Sequence, residues 1–153
     1  MIRKAVTGDL QQINELRRQV NDIHVQGRPD IFKAGFSQEF QDHAAWYLTS
    51  DDNDIFVDEQ DGRLTGMIMV DYIAKPESPY GLAREFCHIA EICVDKDFRR
   101  KGIAHNLMEY VKEEARKRGL KRIELDVWAF NDALGFYEAE GFRTFRTFLE
   151  CDI

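Results

Sequence analysis

The chain is 153 residues long, 44% hydrophobic and 32% charged, with a formal net charge of −7. That length suits one domain, residues 1–153, with a real hydrophobic core. The acidic balance argues against broad nucleic-acid binding, which wants a basic face, and no apolar run is long enough to span a bilayer. The charged start, Met1-Ile2-Arg3-Lys4, does not read as a signal peptide. Three cysteines, Cys87, Cys93 and Cys151, are an odd number. They read as free thiols in a reducing cytoplasm rather than as a disulfide framework.

Ile2 to Val6 reads as a first strand. Thr7 or Asp9 can cap a helix carrying Leu10, Ile13, Leu16, Val20 and Ile23 at helical spacing, and Gly27-Arg28-Pro29 ends it. Asp30 to Phe36 is an irregular apolar link. Ser37 is a candidate cap for a second helix through about Leu48, with Phe40, Ala44 and Tyr47 or Leu48 inward. Asp54 to Glu59 and Arg63 to Ala74 form a predicted hairpin around Asp61-Gly62, because glycine tolerates positive φ. Pro76 to Pro79 is a loop, and Glu85 to Asp95 is a long strand. The next helix, Ile103 to Arg118, buries Ile103, Leu107, Met108, Val111 and Ala115 and stops at Gly119. Lys121 to Trp128 reads as a strand, Asn131 to Ala139 as a short helix, and Phe142 to Cys151 as a last strand or hairpin arm. The order β-α-α-β-β-β-α-β-α-β predicts a mixed α/β sheet flanked by helices.

Arg99-Arg100-Lys101-Gly102-Ile103-Ala104 is the most informative stretch. It joins a buried strand to an amphipathic helix. The first turn of a helix has unpaired N–H groups and a dipole that favours negative charge. Gly102 lets backbone donors approach an anion with no Cβ in the way, and Arg99, Arg100 and Lys101 add positive charge. This pattern points to a pyrophosphate-bearing ligand. A merely solvated charge run is the alternative. There is no Gly-x-x-x-x-Gly-Lys-Ser/Thr loop and no Gly-x-Gly-x-x-Gly run, which argues against other nucleotide-binding α/β proteins.

The segment Ile92-Cys93-Val94-Asp95-Lys96-Asp97-Phe98-Arg99-Arg100-Lys101-Gly102-Ile103-Ala104 resembles the acyl-CoA-binding motif of the GNAT superfamily of N-acetyltransferases. Arg99, Gly102 and Ala104 fill its three specified places. Asn131-Asp132-Ala133-Leu134-Gly135-Phe136-Tyr137-Glu138-Ala139-Glu140-Gly141-Phe142 resembles a second signature of that superfamily, at the right distance. The resemblance implies the GNAT-type α/β fold: a central mixed, strongly twisted β-sheet with splayed central strands and helices on both faces. It implies acetyl-CoA as cosubstrate, held in the slot where the strands ending at Val94 and Trp128 part. The pantetheine arm would then bond to the backbone of Ile92, Cys93 and Val94. The pyrophosphate would rest on amides of about Arg100 to Ala104, beside Arg99. Asn131 would reach the pantetheine, and Tyr137 would lie near the sulfur. A homodimer, common in the superfamily, is also expected.

The implied chemistry is direct acetyl transfer to a primary amine, which must lose a proton to attack. The thioester carbonyl would be polarised by a backbone N–H near Ile92 to Val94. Tyr137 is the candidate acid for the leaving thiolate; its alternative is a core tyrosine. Glu91 is the candidate base, a carboxylate in an otherwise apolar strand, with solvent exposure or structural pairing as the alternative. His88 is its rival. Cys93 reads as packing rather than a nucleophile. The histidines show no metal spacing with the cysteines, so no metal is expected. Arg116 to Arg122 suits a helix C-terminus, with one residue there in reach of an adenosine phosphate.

The resemblance implies an acceptor side shaped by His24 to Trp46, with Arg28, Phe32, Phe36, Trp46 and Tyr47 as wall candidates, the aromatics having core packing as their alternative, and Tyr80 in the 75–84 loop as a further wall. Asp71, Glu85 or Glu91 suggests a cationic amine: a polyamine, amino sugar, amino-acid amine or peptide N-terminus. Gly135 sits mid-helix at a cost of about 1 kcal/mol, which points to a close approach or a kink. A non-catalytic CoA-binding sensor or interaction module is the competing reading.

Overall fold

The computed structural model describes residues Met1–Ile153. Strand β1 (Ile2–Lys4) leads through a 3-10 turn at Thr7–Asp9 into helix α1 (Leu10–Gly27). Asp9 fixes this entry. Its carboxylate accepts from the Val6 amide at 2.8 Å and from both ends of the Arg3 guanidinium at 2.7 and 2.9 Å. Helix α2 (Gln38–Tyr47) is capped by Ser37, whose hydroxyl accepts from the Phe40 amide at 3.2 Å. It buries Ala44 and Tyr47.

Strands β2 (Asn53–Gln60) and β3 (Arg63–Lys75) form the expected hairpin. Asp61 (φ 51°) and Gly62 (φ 80°) make its two-residue left-handed turn, the form that matches strand twist. Strand β4 (Arg84–Val94) is followed by a 3-10 turn at Lys96–Phe98 and helix α3 (Ile103–Lys117). Strand β5 (Ile123–Leu125) and helix α4 (Leu134–Ala139) complete the elements.

The five strands lie in the order β1-β2-β3-β4-β5. Neighbours are antiparallel as far as β4, and β5 is parallel to β4. The sheet therefore separates two apolar layers. Helices α1 and α2 cover Ile55, Val57, Met67, Met69 and Cys93. Helices α3 and α4 cover Phe56, Ile68, Val70, Cys87 and Ile89. No helix is long and apolar enough to cross a membrane.

Four expectations are corrected. Ile23 is exposed, whereas Arg17 is buried. At 3.6 residues per turn Ile23 lies at the margin of the α1 stripe and Arg17 nearer its centre. The strand expected over Lys121 to Trp128 pairs only at Ile123–Leu125, because β5 diverges from β4 beyond that point. The helix expected from Asn131 begins at Leu134. The last strand, expected over Phe142 to Cys151, does not form, and residues 143–153 make no backbone hydrogen bond to the backbone. Their Phe and Thr content favours a strand locally, but a strand exists only with a ladder partner. Side chains hold this segment instead: Arg28 binds Glu150 at 2.6 Å, and Arg84 lies 5.9 Å from the Phe145 ring.

Candidate active site

Strand β4 pairs with β5 only at Cys87–Ile123, His88–Glu124 and Ile89–Leu125. Beyond Ile89 it runs on to Val94 with β3 on one side and no strand on the other. The expected slot opens here. Ala90 is exposed although it lies in a central strand, and Ile92 and Val94 are only half-buried. Ala90 is also the extra residue of a β-bulge, since Glu91 faces Met69 while Ile89 faces Val70. The irregularity therefore falls upstream of the Ile92 to Val94 stretch, where the polarising N–H was expected. An unbulged strand would send His88 and Glu91 to opposite faces. The bulge puts both on the α1/α2 face, with His88 opposite Asp71.

The basic turn offers an open cradle. Arg100 (φ 64°) and Gly102 (φ 81°) both adopt left-handed conformations. The first α3 bond runs from the Asn106 amide to the Gly102 carbonyl at 3.0 Å, and the amides of Arg99 through His105 donate to no backbone acceptor. A Cβ built on Gly102 would meet nothing within 4 Å. Two neighbouring side chains are used locally: Arg99 Nε donates to the Val94 carbonyl at 3.2 Å and Lys101 Nζ to that of Asp97 at 3.5 Å. Arg100 is exposed. The residues present thus suit a diphosphate through backbone donors first and side-chain charge second. Packing against β3 holds the cradle down, because a Cβ on Gly66 would come within 2.8 Å of Ile103 Cγ2.

Tyr137 is buried, its ring edge-on to Phe136 at 5.3 Å and to Phe142 at 5.9 Å. Its hydroxyl is not one of the sealed, partnerless polar atoms of the interior. Burial pushes the phenol up, so it stays protonated. Asn131 Oδ1 accepts from the Ala133 amide at 2.9 Å. Gly135 makes no close approach, as a Cβ there would meet nothing within 4 Å, and α4 continues through it. The Cys93 side chain faces the α1 layer, where its thiol donates to the Leu16 carbonyl at 3.3 Å. Only its backbone can serve the slot.

On the opposite face Arg17, 1% exposed, binds Glu91 at 3.2 Å and donates to the Phe40 carbonyl at 2.6 Å. Its guanidinium lies 4.2 Å from the Phe40 ring centroid. Glu91 Oε1 is sealed from solvent without a partner. Burial raises the Glu91 carboxyl, with Arg17 pulling part of the way back. Beside this pair Asp71 collects three donors: Tyr47 at 2.5 Å, Asn53 at 2.6 Å and His88 Nδ1 at 3.1 Å. Burial alone would raise Asp71; the bonds from His88, Tyr47 and Asn53 outweigh it and hold the carboxyl low. Its hydrogen bond raises His88, aided by the Asp126 carboxylate 3.7 Å from Nε2.

Arg17 and Asp126 escaped the sequence reading as site residues, and Asp71 entered it only as a charge favouring a cationic amine. A cation four residues after Ile13 on an apolar stripe was the available signal for Arg17. Nothing local marked Asp126. Of the expected wall, Tyr47 joins the Asp71 network, Phe36 lies 5.8 Å from the Arg17 guanidinium, and Phe32 packs on His24 and Trp128. Arg28 is forked between Asp30 and Glu150. Tyr80 is 98% exposed and walls nothing. His105, Glu109 and Glu140 come within 4.8 Å of one another. There Lys112 Nζ already supplies the cation, at 2.7 Å from Glu109 and 3.1 Å from Glu140.

The acetyltransferase (GNAT) family model matches residues 18–142. The chain belongs to this family. The GNAT match takes in both motifs and the slot between them. An uncharacterized N-acetyltransferase of Methanocaldococcus jannaschii is 37% identical over 101 residues, which is 64% of this chain and 42% of that protein. The matched region thus spans less than half of the archaeal relative. A crystal structure of a mutant Bacillus halodurans protein superposes with TM-score 0.95 at 25% identity, covering 100% of this chain and 99% of that one. The fold is shared as well with an aminoglycoside N-acetyltransferase solved in complex with CoA, at TM-score 0.73 and 18% identity over 100% and 99% of the two chains.

Proposed function

We propose that this GNAT protein transfers acetyl from acetyl-CoA directly to a primary amine. The observation that carries the reading is the run of unpartnered amides from Arg99 to His105, set beside the unpaired edge of β4. The diphosphate binds those amides, with Arg99, Arg100 and Lys101 adding charge around Gly102, Ile103 and Ala104. The pantetheine arm lies along Ile92, Cys93 and Val94 as an added strand, and Asn131 reaches it through its amide nitrogen. This aims the thioester at the gap where Ala90 breaks the ladder.

Tyr137 then serves as the acid. A phenol kept protonated by burial can give its proton to the thiolate as the C–S bond breaks. On the other face Glu91 and His88 are the two candidate groups to take the amine proton. Asp71, Asp126 and Glu91 give that face a surplus of carboxylates, which favours a cationic acceptor. The buried free thiols Cys87 and Cys93 fit a reducing cytoplasm.

The test is acetyl-CoA turnover across a panel of polyamines, amino sugars, amino acids and peptides, read by thiol release and product mass. Acetylation of at least one amine, with kcat reduced in Tyr137→Phe, is expected. Tight CoA binding with no amine acetylated would favour the sensor module instead.

A further inference from the structure

The choice between Glu91 and His88 can be argued from contact geometry, on the basis that the protein is an amine acetyltransferase. We propose that His88 is the group that takes the proton from the acceptor amine, that Asp71 positions it, and that Asp126 draws the ammonium to it.

Three observations carry this. First, the partnerless oxygen of Glu91 is sealed from solvent, and the other is held by the buried Arg17. Neither oxygen is free to meet an incoming amine. His88 keeps 27% of its side chain exposed, on the same face of the same strand. Second, Asp71 accepts at Nδ1 and is itself fixed by Tyr47 and Asn53. A carboxylate at Nδ1 holds the proton there in the neutral ring and leaves Nε2 with a free lone pair. Third, Nε2 points to the side where β5 leaves the sheet. Its nearest carboxylate, Asp126 at 3.7 Å, belongs to a side chain that is 71% exposed. An exposed carboxylate beside a basic nitrogen is a docking point for an ammonium.

The surrounding charges are consistent with that role. Asp71 faces the ring from β3 and Asp126 from the segment after β5. Glu124 of β5 is tied to Arg84. Tyr47 of α2 is spent on Asp71, and His43 of α2 is itself pushed down by partial burial and Arg17. Arg17 of α1 is neutralised by Glu91, and Arg146 lies behind Asp126 at 3.9 Å. The ring therefore sits between two carboxylates with no uncompensated cation against it. These carboxylates make it a stronger base than a free imidazole, closer in strength to the amine it must deprotonate.

The proton balance closes. An N–H bond of the ammonium breaks as one forms at Nε2, and the freed lone pair attacks the thioester carbon. As the C–S bond breaks, Tyr137 protonates the thiolate, and the second proton lost by the nitrogen replaces the one Tyr137 gave. His88 then releases its proton to water.

The test compares wild type with His88→Gln, Asp71→Asn, Asp126→Asn and Glu91→Gln, using the amine of the panel that is turned over fastest. The acid limb of kcat/KM for wild type should lie above pH 6.5, and Asp71→Asn should move it down. His88→Gln should cut kcat/KM at least a hundredfold and abolish the limb. Asp126→Asn should raise KM with kcat little changed. Glu91→Gln, if folded by circular dichroism, should keep the limb. An NMR titration of the His88 ring, raised in wild type and lowered by Asp71→Asn, provides a readout independent of turnover. A wild-type enzyme whose acid limb survives His88→Gln but vanishes in Glu91→Gln would overturn the assignment while leaving the acetyltransferase reading intact. No transfer to any amine by wild type would overturn both.

Discussion

His88 and Glu91 project from the same face of β4 although three positions separate them, because Ala90 between them is bulged out of the ladder. That one extra residue gathers the carboxylates and imidazole of the acceptor face at the mouth of the slot. It also leaves Glu91 within reach of Arg17 on α1.

The Arg17–Glu91 pair is buried, so removing one partner should cost far more than removing both. Arg17→Met leaves an uncompensated carboxylate and should lower unfolding free energy by about 3–5 kcal/mol in urea titrations. Replacing both residues, Arg17→Met with Glu91→Leu, should recover most of that loss. A single-variant cost below about 1 kcal/mol would mean that water relieves the pair.

Gly66 matters through space, not φ. A Cβ there would stand 2.8 Å from Ile103 Cγ2 and 3.1 Å from the Cys93 carbonyl. Gly66→Ala should force the start of α3 away from the sheet, destabilise by about 1–3 kcal/mol, and weaken acetyl-CoA binding in calorimetry.

Gly102 matters through φ. At 81°, with open space beside it, a branched residue is strained by roughly 1–2 kcal/mol and would put bulk where the anion approaches. Gly102→Val should weaken acetyl-CoA binding more than Arg116→Ala, since Arg116 is exposed and paired within α3 to Glu113 at 3.1 Å. Equal losses would contradict the backbone cradle.

The Asp71 hydrogen bond raises the folded-state value of His88, so its contribution to stability has a definite sign. It should be fully present below the unfolded value of about 6.5 and fade as pH rises through the higher folded value. The gap in melting temperature between wild type and His88→Gln should accordingly be largest at about pH 5.5 and shrink by pH 8–9, as followed by scanning calorimetry.

Burial pushes the Cys87 and Cys93 thiols up to about 12, while Cys151 is exposed. At pH 7.5 iodoacetamide should alkylate Cys151 quickly in the native protein and reach the other two only on unfolding, as peptide mass mapping would show. Rapid native labelling of Cys93 would contradict its packing against Leu16.

Local chemistry in the sequence determined most of the elements and the cradle. Ser37 caps α2, Asp61-Gly62 turns the β2–β3 hairpin, and Gly102 opens α3, because each acts on bonds within a few residues of itself. The same locality made the cradle legible beside a long strand, and with it the family resemblance. Ala90's bulge, Arg17's burial, the Asp71–His88 bond and the missing last strand were decided only by tertiary structure. Each depends on what a distant segment supplies: a ladder register, a counter-charge, a hydrogen-bond partner or an edge to pair with. Those terms arise from packing α1, β3 and β5 around β4, and no window along the chain contains them.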